Sequence, residues 1–458
     1  MKTTYPERVT IIGAARSGIA AARFFTERGV SVLLSDTCSS EQMEAIVARN
    51  GLSGIRREAQ GHSGAVLDAD LIVLSPGVPS DISVLLQARE RSIPVWSEME
   101  LGFRASRAPF LAVTGSSGKS TTVSLAGAAL AAAGIETIVA GNIGLPVIAE
   151  VPQVSGKGFV VAEVSSFQLE NIDGFRPKAA AVLNLMKNHL DRYASENAYY
   201  EAKKAIARNL TKEEYLILNA NDPLLRSWGD EVTGETRVVY FGADVDGGDA
   251  FWCEGSLLRY RLDGTAGVMG DLVAMKLRGG HNYDNAAVAA ALAKIAGAPD
   301  EKILQGLCSF TGLRHRLEFI TECDGVDWYN DSKSTTAESI DCAVRAFPAG
   351  VHLIAGGRDK GCDFSVVNDA ISRFAKTVIL IGEATERMAR EWDGLAPIVC
   401  AGTLEEAVEV AQNKATAGHA VVLSPGCSSF DMFDNYEQRG DRFRDIVLSS
   451  CGRAVPHE

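Results

Sequence analysis

Short apolar runs recur along this chain, each followed by a glycine- or hydroxyl-rich turn and then a stretch of helical character. Val9-Thr10-Ile11-Ile12 reads as a strand, followed by the turn Gly13-Ala14-Ala15-Arg16-Ser17-Gly18 and a helix through Glu27. Residues 30–35 form a second strand ending at Asp36, and residues 71–74 a third that runs into Ser75-Pro76-Gly77. Apolar runs with little polar alternation suit strands covered on both faces, so the rhythm predicts parallel sheets joined by crossover helices. A linker over residues 94–109 leads into a second unit. There Leu111-Ala112-Val113 ends a strand, residues 123–133 form a small-residue helix, and residues 159–162, 180–183 and 215–218 are further strands. Residues 286–296 are an alanine-rich helix. After Gly312 the pattern restarts, with strands at 351–354, 377–380 and 420–423. The expected architecture is three α/β domains, over residues 1–97, 98–312 and 313–458.

Composition narrows the partners. A net charge of −13 argues against non-specific binding to nucleic acid or an anionic membrane, so phosphate groups must meet local positive charge. Nine cysteines, scattered singly without a C-x-x-C pair, suit free thiols in a reducing compartment better than a disulfide framework or a zinc site. No charged-then-apolar leader opens the chain, and residues 125–135, its longest small-apolar run, are too short for a bilayer span. A cytoplasmic protein without membrane insertion is expected.

Candidate chemistry gathers at the carboxyl ends of the strands, where doubly wound sheets bind ligands. Gly115-Ser116-Ser117-Gly118-Lys119-Ser120-Thr121 lies between strand and helix. Its glycines let backbone N–H groups converge on one anion, Lys119 adds a full charge, and Ser120 offers a hydroxyl to a magnesium ion. That is chemistry for a nucleoside triphosphate. The first glycine of the usual longer pattern would fall at Val113, so the loop is a shortened variant. Glu163 ends a neighbouring strand, the place for a magnesium ligand or water-positioning acid. Asn184 and His189 add polar groups at the same edge, whereas the residues alone assign Lys203 nothing beyond a solvated lysine. In the first unit, Gly13–Gly18 with Asp36 suits a diphosphate-containing ligand. Ala15 crowds the middle-glycine position that a dinucleotide needs, which leaves a plain tight turn as the alternative. In the third unit, residues 330–336, 356–360 and 424–431 form three polar loops at one edge, fit for a small dianion held by Lys360 and hydroxyls.

Taken together these stretches resemble the Mur ligase family over essentially the whole chain. The similarity includes Gly141–Gly144, Glu163–Glu170, Asn188–Asp191, Gly280–Tyr283, His315–Glu318 and Leu423–Gly440. The last run resembles the members that add D-glutamate, and the third unit lacks the Asp-Asn-Pro-Arg signature of diaminopimelate- and lysine-adding relatives. The resemblance implies a Rossmann-like UDP-binding domain, a central P-loop ATPase domain and a Rossmann-like C-terminal domain. It implies an acyl-phosphate mechanism joining UDP-N-acetylmuramoyl-L-alanine to D-glutamate in peptidoglycan precursor synthesis. Lys119, Glu163, His189, Lys203 and Asn142 would carry catalysis. Residues 115–121 would hold ATP together with Asn282, Arg316 and Asp331. Ser120 and Glu163 would hold one magnesium ion, and His189 with a carbamylated Lys203 a second. Gly13, Ser17, Asp36, Thr37, Ser75, Pro76, Gly77, Asn142, Ser165, Gln168 and His189 would bind the UDP-sugar. Thr335, Lys360, Ser429, Phe430 and Tyr436 would form the D-glutamate pocket of a monomeric enzyme. Two positions depart from the family pattern: Cys38 replaces a basic residue near the diphosphate, and Tyr436 stands where phenylalanine is common. The rival readings are a folylpolyglutamate-synthetase-like ligase, a nicotinamide dehydrogenase using the first domain, and a nucleotide-switched binding module.

Overall fold

The computed structural model describes residues 6–186, 192–232, 234–277, 279–359 and 361–452. Three sheets organise them. The first contains β1 (Arg8–Ile12), β2 (Ser31–Ser35), β3 (Arg56–Glu58), β4 (Leu71–Leu74) and β5 (Val95–Ser97) in the order β3-β2-β1-β4-β5. All its pairings are parallel, with Val9 opposite both Val32 and Leu71.

The second sheet holds β6 (Phe110–Thr114), β7 (Thr137–Gly141), β8 (Phe159–Glu163), β9 (Ala179–Val182), β10 (Tyr215–Asn219) and β11 (Arg237–Phe241). It continues through β12 (Asp249–Glu254), β13 (Leu257–Leu262) and β14 (Thr265–Asp271). The order is β14-β13-β12-β11-β10-β9-β6-β8-β7. Pairing is parallel from β7 through β12 and antiparallel in the β12-β13-β14 extension. β13 buries alternate residues, as expected of an edge region with one wet face. The reversal at β8-β6-β9 opens a crevice at the strand ends, which places the glycine-rich turn beside Glu163.

Residues up to 273 with 283–308 form one compact unit that includes both sheets. Its main core runs without a break from Val9 and Phe25 through Met99 and Val147 to Val160 and Leu216. Residues 94–109, expected as a linker, instead supply β5 and the helix Glu98–Ala105. Ser97 caps that helix by accepting from the Glu100 N–H at 3.3 Å, and Met99, Leu101 and Gly102 are buried. Its two first-turn glutamates, Glu98 and Glu100, are themselves buried. Glu100 accepts N–H bonds from Asp173, Gly174 and Phe175, and Glu98 accepts one from Ile148.

A second compact unit comprises residues 274–282 and those from 309 onward. Its sheet has β15 (Glu318–Cys323), β16 (Val326–Asn330), β17 (Val351–Gly356), β18 (Ala375–Ile381), β19 (Ile398–Cys400) and β20 (Ala420–Gly426). The order is β15-β16-β20-β17-β18-β19, parallel except for the β15-β16 hairpin. Among the described residues no helix is long and apolar enough to cross a membrane.

Candidate functional site

β6 delivers the chain into the turn 115–118 and then the helix Lys119–Ala132. Gly118 sits at φ +83°, and a side chain there would come within 2.6 Å of Asn285 Oδ1, so this corner admits only glycine. The N–H groups of Ser116 and Ser117 converge on Asn184 Oδ1 at 3.1 and 2.9 Å, showing that the turn does cradle a single oxygen. Lys119 Nζ donates to the carbonyls of Gly115 and Ser116 at 2.8 and 3.1 Å. Ser120 lies buried at the start of the helix.

Lys203 reaches the same turn from the helix Glu196–Lys204, which Ser195 caps through the Ala198 N–H at 3.2 Å. Its side chain is 1% exposed, its Nζ donates to Gly115 O at 2.9 Å, and the Tyr199 ring lies 4.5 Å away. Burial, together with the Lys119 charge, brings its ammonium down to about 7, with Glu163 pulling the other way. A lysine so placed holds a sizeable fraction of free amine at neutral pH, where a solvated lysine is almost wholly charged. Sequence reasoning had no access to this, because the burial comes from segments distant in the chain.

Glu163 is also buried. Its Oε1 accepts from Asn142 Nδ2 at 2.8 Å, while its Oε2 has no partner among the described residues. A buried carboxylate oxygen left unpaired costs about 1–3 kcal/mol, more when charged, so the position calls for a cation. One carboxylate and one hydroxyl beside nucleotide phosphates suit magnesium, which keeps several waters and needs no closed protein cage. The absence of any cluster of three or more acidic, histidine or cysteine side chains among the described residues is compatible with that donor set. A cavity of ≈ 160 Å³ lies here, lined by Ser116, Lys119, Asn142, Ser165, Phe167 and Lys203 among others. Gln168 is buried and engaged with Ser165 in a helix-capping box, accepting from the Ser165 N–H at 2.9 Å. His189 lies outside the described residues.

At the first sheet, Asp36 accepts N–H bonds from Ala14 at 2.6 Å and Cys38 at 2.8 Å. Ser75 Oγ donates to Gly13 O at 3.0 Å, and a side chain on Gly18 would meet that carbonyl at 1.8 Å. Gly13, Gly18, Asp36 and Ser75 are therefore brought together, with Ser17 half-buried and Thr37 exposed nearby. Two residues that sequence reasoning passed over, Arg192 and Glu170, tie this region to the second sheet. Arg192 donates to Pro76 O and Val78 O at 2.9 and 3.1 Å. A conspicuous polar cluster around residue 190 was the available signal.

In the second unit, loops after β16, β17 and β20 meet. Gly426 N donates to Ser334 O at 2.9 Å, and Arg358 N to Ser428 O at the same distance. Asp331 is buried and accepts from Leu317 N at 3.1 Å and Ser424 Oγ at 2.8 Å. Burial pushes its carboxyl up to about 6 against the Ser334 and Ser424 hydrogen bonds. Thr335 and Tyr436 are half-buried, Ser429 is buried and Phe430 is 56% exposed. Asn282 is buried in this unit, and Arg316 lies between His315 and Leu317, both at positive φ. Lys360 lies outside the described residues. Arg439, also passed over in the sequence, is buried. It donates to Ser332 Oγ and to the carbonyls of Ser332 and Cys427, pinning two of the three loops.

Family models match along the chain. The Mur ligase MurD-like N-terminal domain covers residues 7–97, the Mur ligase middle domain 113–293 and the Mur ligase glutamate ligase domain 315–427. The UDP-N-acetylmuramoylalanine--D-glutamate ligase of Geotalea daltonii is 41% identical over 97% of this chain and 98% of its own. That of Acidobacterium capsulatum is 41% identical over 98% of both chains. Among solved structures, the UDP-N-acetylmuramoylalanyl-D-glutamyl-2,6-diaminopimelate--D-alanyl-D-alanyl ligase from Acinetobacter baumannii shares the fold. It has a TM-score of 0.60 and 17% identity, covering 98% of this chain and 94% of that one.

Proposed function

The chain belongs to the Mur ligase family, and from that premise we propose that it is the ATP-dependent ligase joining UDP-N-acetylmuramoyl-L-alanine to D-glutamate. The alanyl carboxylate takes the γ-phosphoryl group of ATP, releasing ADP. The D-glutamate amine then attacks the acyl phosphate, losing a proton and expelling inorganic phosphate as the amide forms. The observation that carries this reading is the convergence of Lys119 and Lys203 on Gly115 beside the half-paired carboxylate of Glu163.

Such chemistry is mostly positioning and charge neutralisation. Residues 115–121 cradle the phosphates, with Lys119 swinging from the Gly115 carbonyl to the β- and γ-oxygens. Ser120 and Glu163 hold a magnesium ion, which neutralises charge on the phosphate oxygens when bound. Asn142 fixes the Glu163 rotamer and faces the acyl end of the UDP-sugar. The unprotonated amine of Lys203 adds carbon dioxide and loses a proton, giving a carbamate that would suit a second metal position with His189. Asn282, Arg316 and Asp331, in the second unit, are assigned to nucleotide binding.

Gly13, Ser17, Asp36, Thr37 and Ser75–Gly77 take the UDP-sugar, with Ser165 at its inner end; Gln168 serves by fixing Ser165. Thr335, Lys360, Ser429, Phe430 and Tyr436 take D-glutamate. We place domain divisions at residues 97 and 312, the first falling inside the compact unit that holds both sheets, and assign the enzyme to the cytoplasm. The deciding experiment measures phosphate release with UDP-N-acetylmuramoyl-L-alanine against D-glutamate, L-glutamate and L-lysine. Release dependent on the UDP-sugar and D-glutamate together is expected. Release needing neither favours a nucleotide-switched module instead.

A further inference from the structure

Arg192 makes an arrangement that nothing in the reaction described above uses. Its side chain is 16% exposed, and its guanidinium donates three ways: Nη1 to Pro76 O at 2.9 Å, and Nη2 to Val78 O at 3.1 Å and Glu170 Oε2 at 3.2 Å. Its Cζ sits 4.2 Å over the ring centroid of Phe167, which is itself stacked with Tyr193. Glu170 is held in turn by the Tyr193 hydroxyl at 2.5 Å and by Ser80. One side chain therefore joins two walls. Pro76 and Val78 belong to the turn that follows β4 of the first sheet. Phe167 lines the cavity beneath Lys119 and Lys203.

We propose that Arg192 is a positioning residue that sets the register between the sugar-nucleotide turn and the reaction cavity, aligning the acyl carboxylate with the γ-phosphoryl group. This role requires arginine. A planar fork can satisfy three acceptors and stack at once, whereas an ammonium offers a point charge with no face. The turn does not depend on Arg192 for its own shape, because Ser75 N donates to Ile12 O at 2.9 Å and Ser75 Oγ to Gly13 O at 3.0 Å. Removing the guanidinium thus leaves the UDP end seated and loosens only the distance between that end and the phosphates. Misplacement of a reacting group by about 1 Å costs on the order of a hundredfold in rate.

The proposal rests on the ligase reading, and the test separates the two. Wild-type protein is assayed first with ATP, UDP-N-acetylmuramoyl-L-alanine and D-glutamate; absence of product overturns the ligase reading and this role with it. With active wild type, R192Q is expected to lose ten- to a hundredfold in kcat, while KM for ATP and the inhibition constant of UDP stay within threefold. R192K should recover less than a third of the lost rate. Added methylguanidinium should raise the turnover of R192A and leave that of wild type unchanged. Full kcat in R192Q overturns the proposal. So does a rise in KM for the UDP-sugar alone, which would mark a binding contact, and so does a parallel loss in every constant with a lowered Tm, which would mark a structural prop.

Discussion

Two lysines at one turn differ in what their surroundings make of them. Lys119 sits where sequence spacing alone puts a phosphate-binding lysine, and Lys119→Ala is expected to lower ligation by about a hundred- to a thousandfold through loss of charge at the β- and γ-oxygens. Phosphate release near the wild-type rate in that variant would refute the P-loop assignment. Lys203 was legible only through the family resemblance, since no local pattern announces that a helix-end lysine is buried against Gly115 O. Its depressed ammonium leaves more of the free amine that the proposed carbamylation would need near neutral pH. Lys203→Ala should therefore be inactive yet partly rescued by millimolar formate or acetate, which restores a carboxylate. An intact fold with no rescue would count against carbamylation. Asn184 shows the same limit in reverse. It was visible as a polar residue at the right edge, but only the fold reveals that its Oδ1 meets two N–H groups of the turn.

At the scale of elements, the parallel strands were readable because both faces are buried and their apolar runs are uninterrupted. The helix Glu98–Ala105 was not, because its sequence advertises charge that the structure buries. Glu98 is fully buried, its Oε1 accepts from Ile148 N at 2.7 Å, and its Oε2 has no partner among the described residues. Burial raises its carboxyl from 4.5 to about 7, the Ile148 N–H opposing. The folded state thus keeps a proton that the unfolded chain releases above pH 4.5. The associated stability is fully present below that value and is lost as pH climbs through about 7. Across this window the loss amounts to about 3 kcal/mol. Glu98→Gln keeps the acceptor for Ile148 and should flatten the decline in urea-unfolding stability between pH 5 and pH 8. An unchanged pH profile would show that Glu98 does not titrate in the folded protein. The antiparallel extension β12-β14 went unread for a different reason. Its half-exposed alternation is weak beside the long apolar runs that flank it.

On the scale of the whole molecule, three sheets were foreseeable, but how many independent cores they possess was not. The sheet formed by residues 8–97 closes one face with its own residues, Ile12, Val66, Ile72, Leu74 and Leu85 among them. Its other face is continuous with the core of the second sheet. A fragment ending at residue 97 is expected to bind a hydrophobic dye and to unfold without a cooperative urea transition. A sharp transition in that fragment would show that the shared core is dispensable. The dependence also has a direction in time. During synthesis the first sheet emerges complete in its strands while Met99 and Val147, which extend the core over it, have yet to be made. A pause in translation before residue 147 would leave the nascent chain with one finished face and one covered only by its own Phe25, Met43 and Val47, a natural substrate for a chaperone.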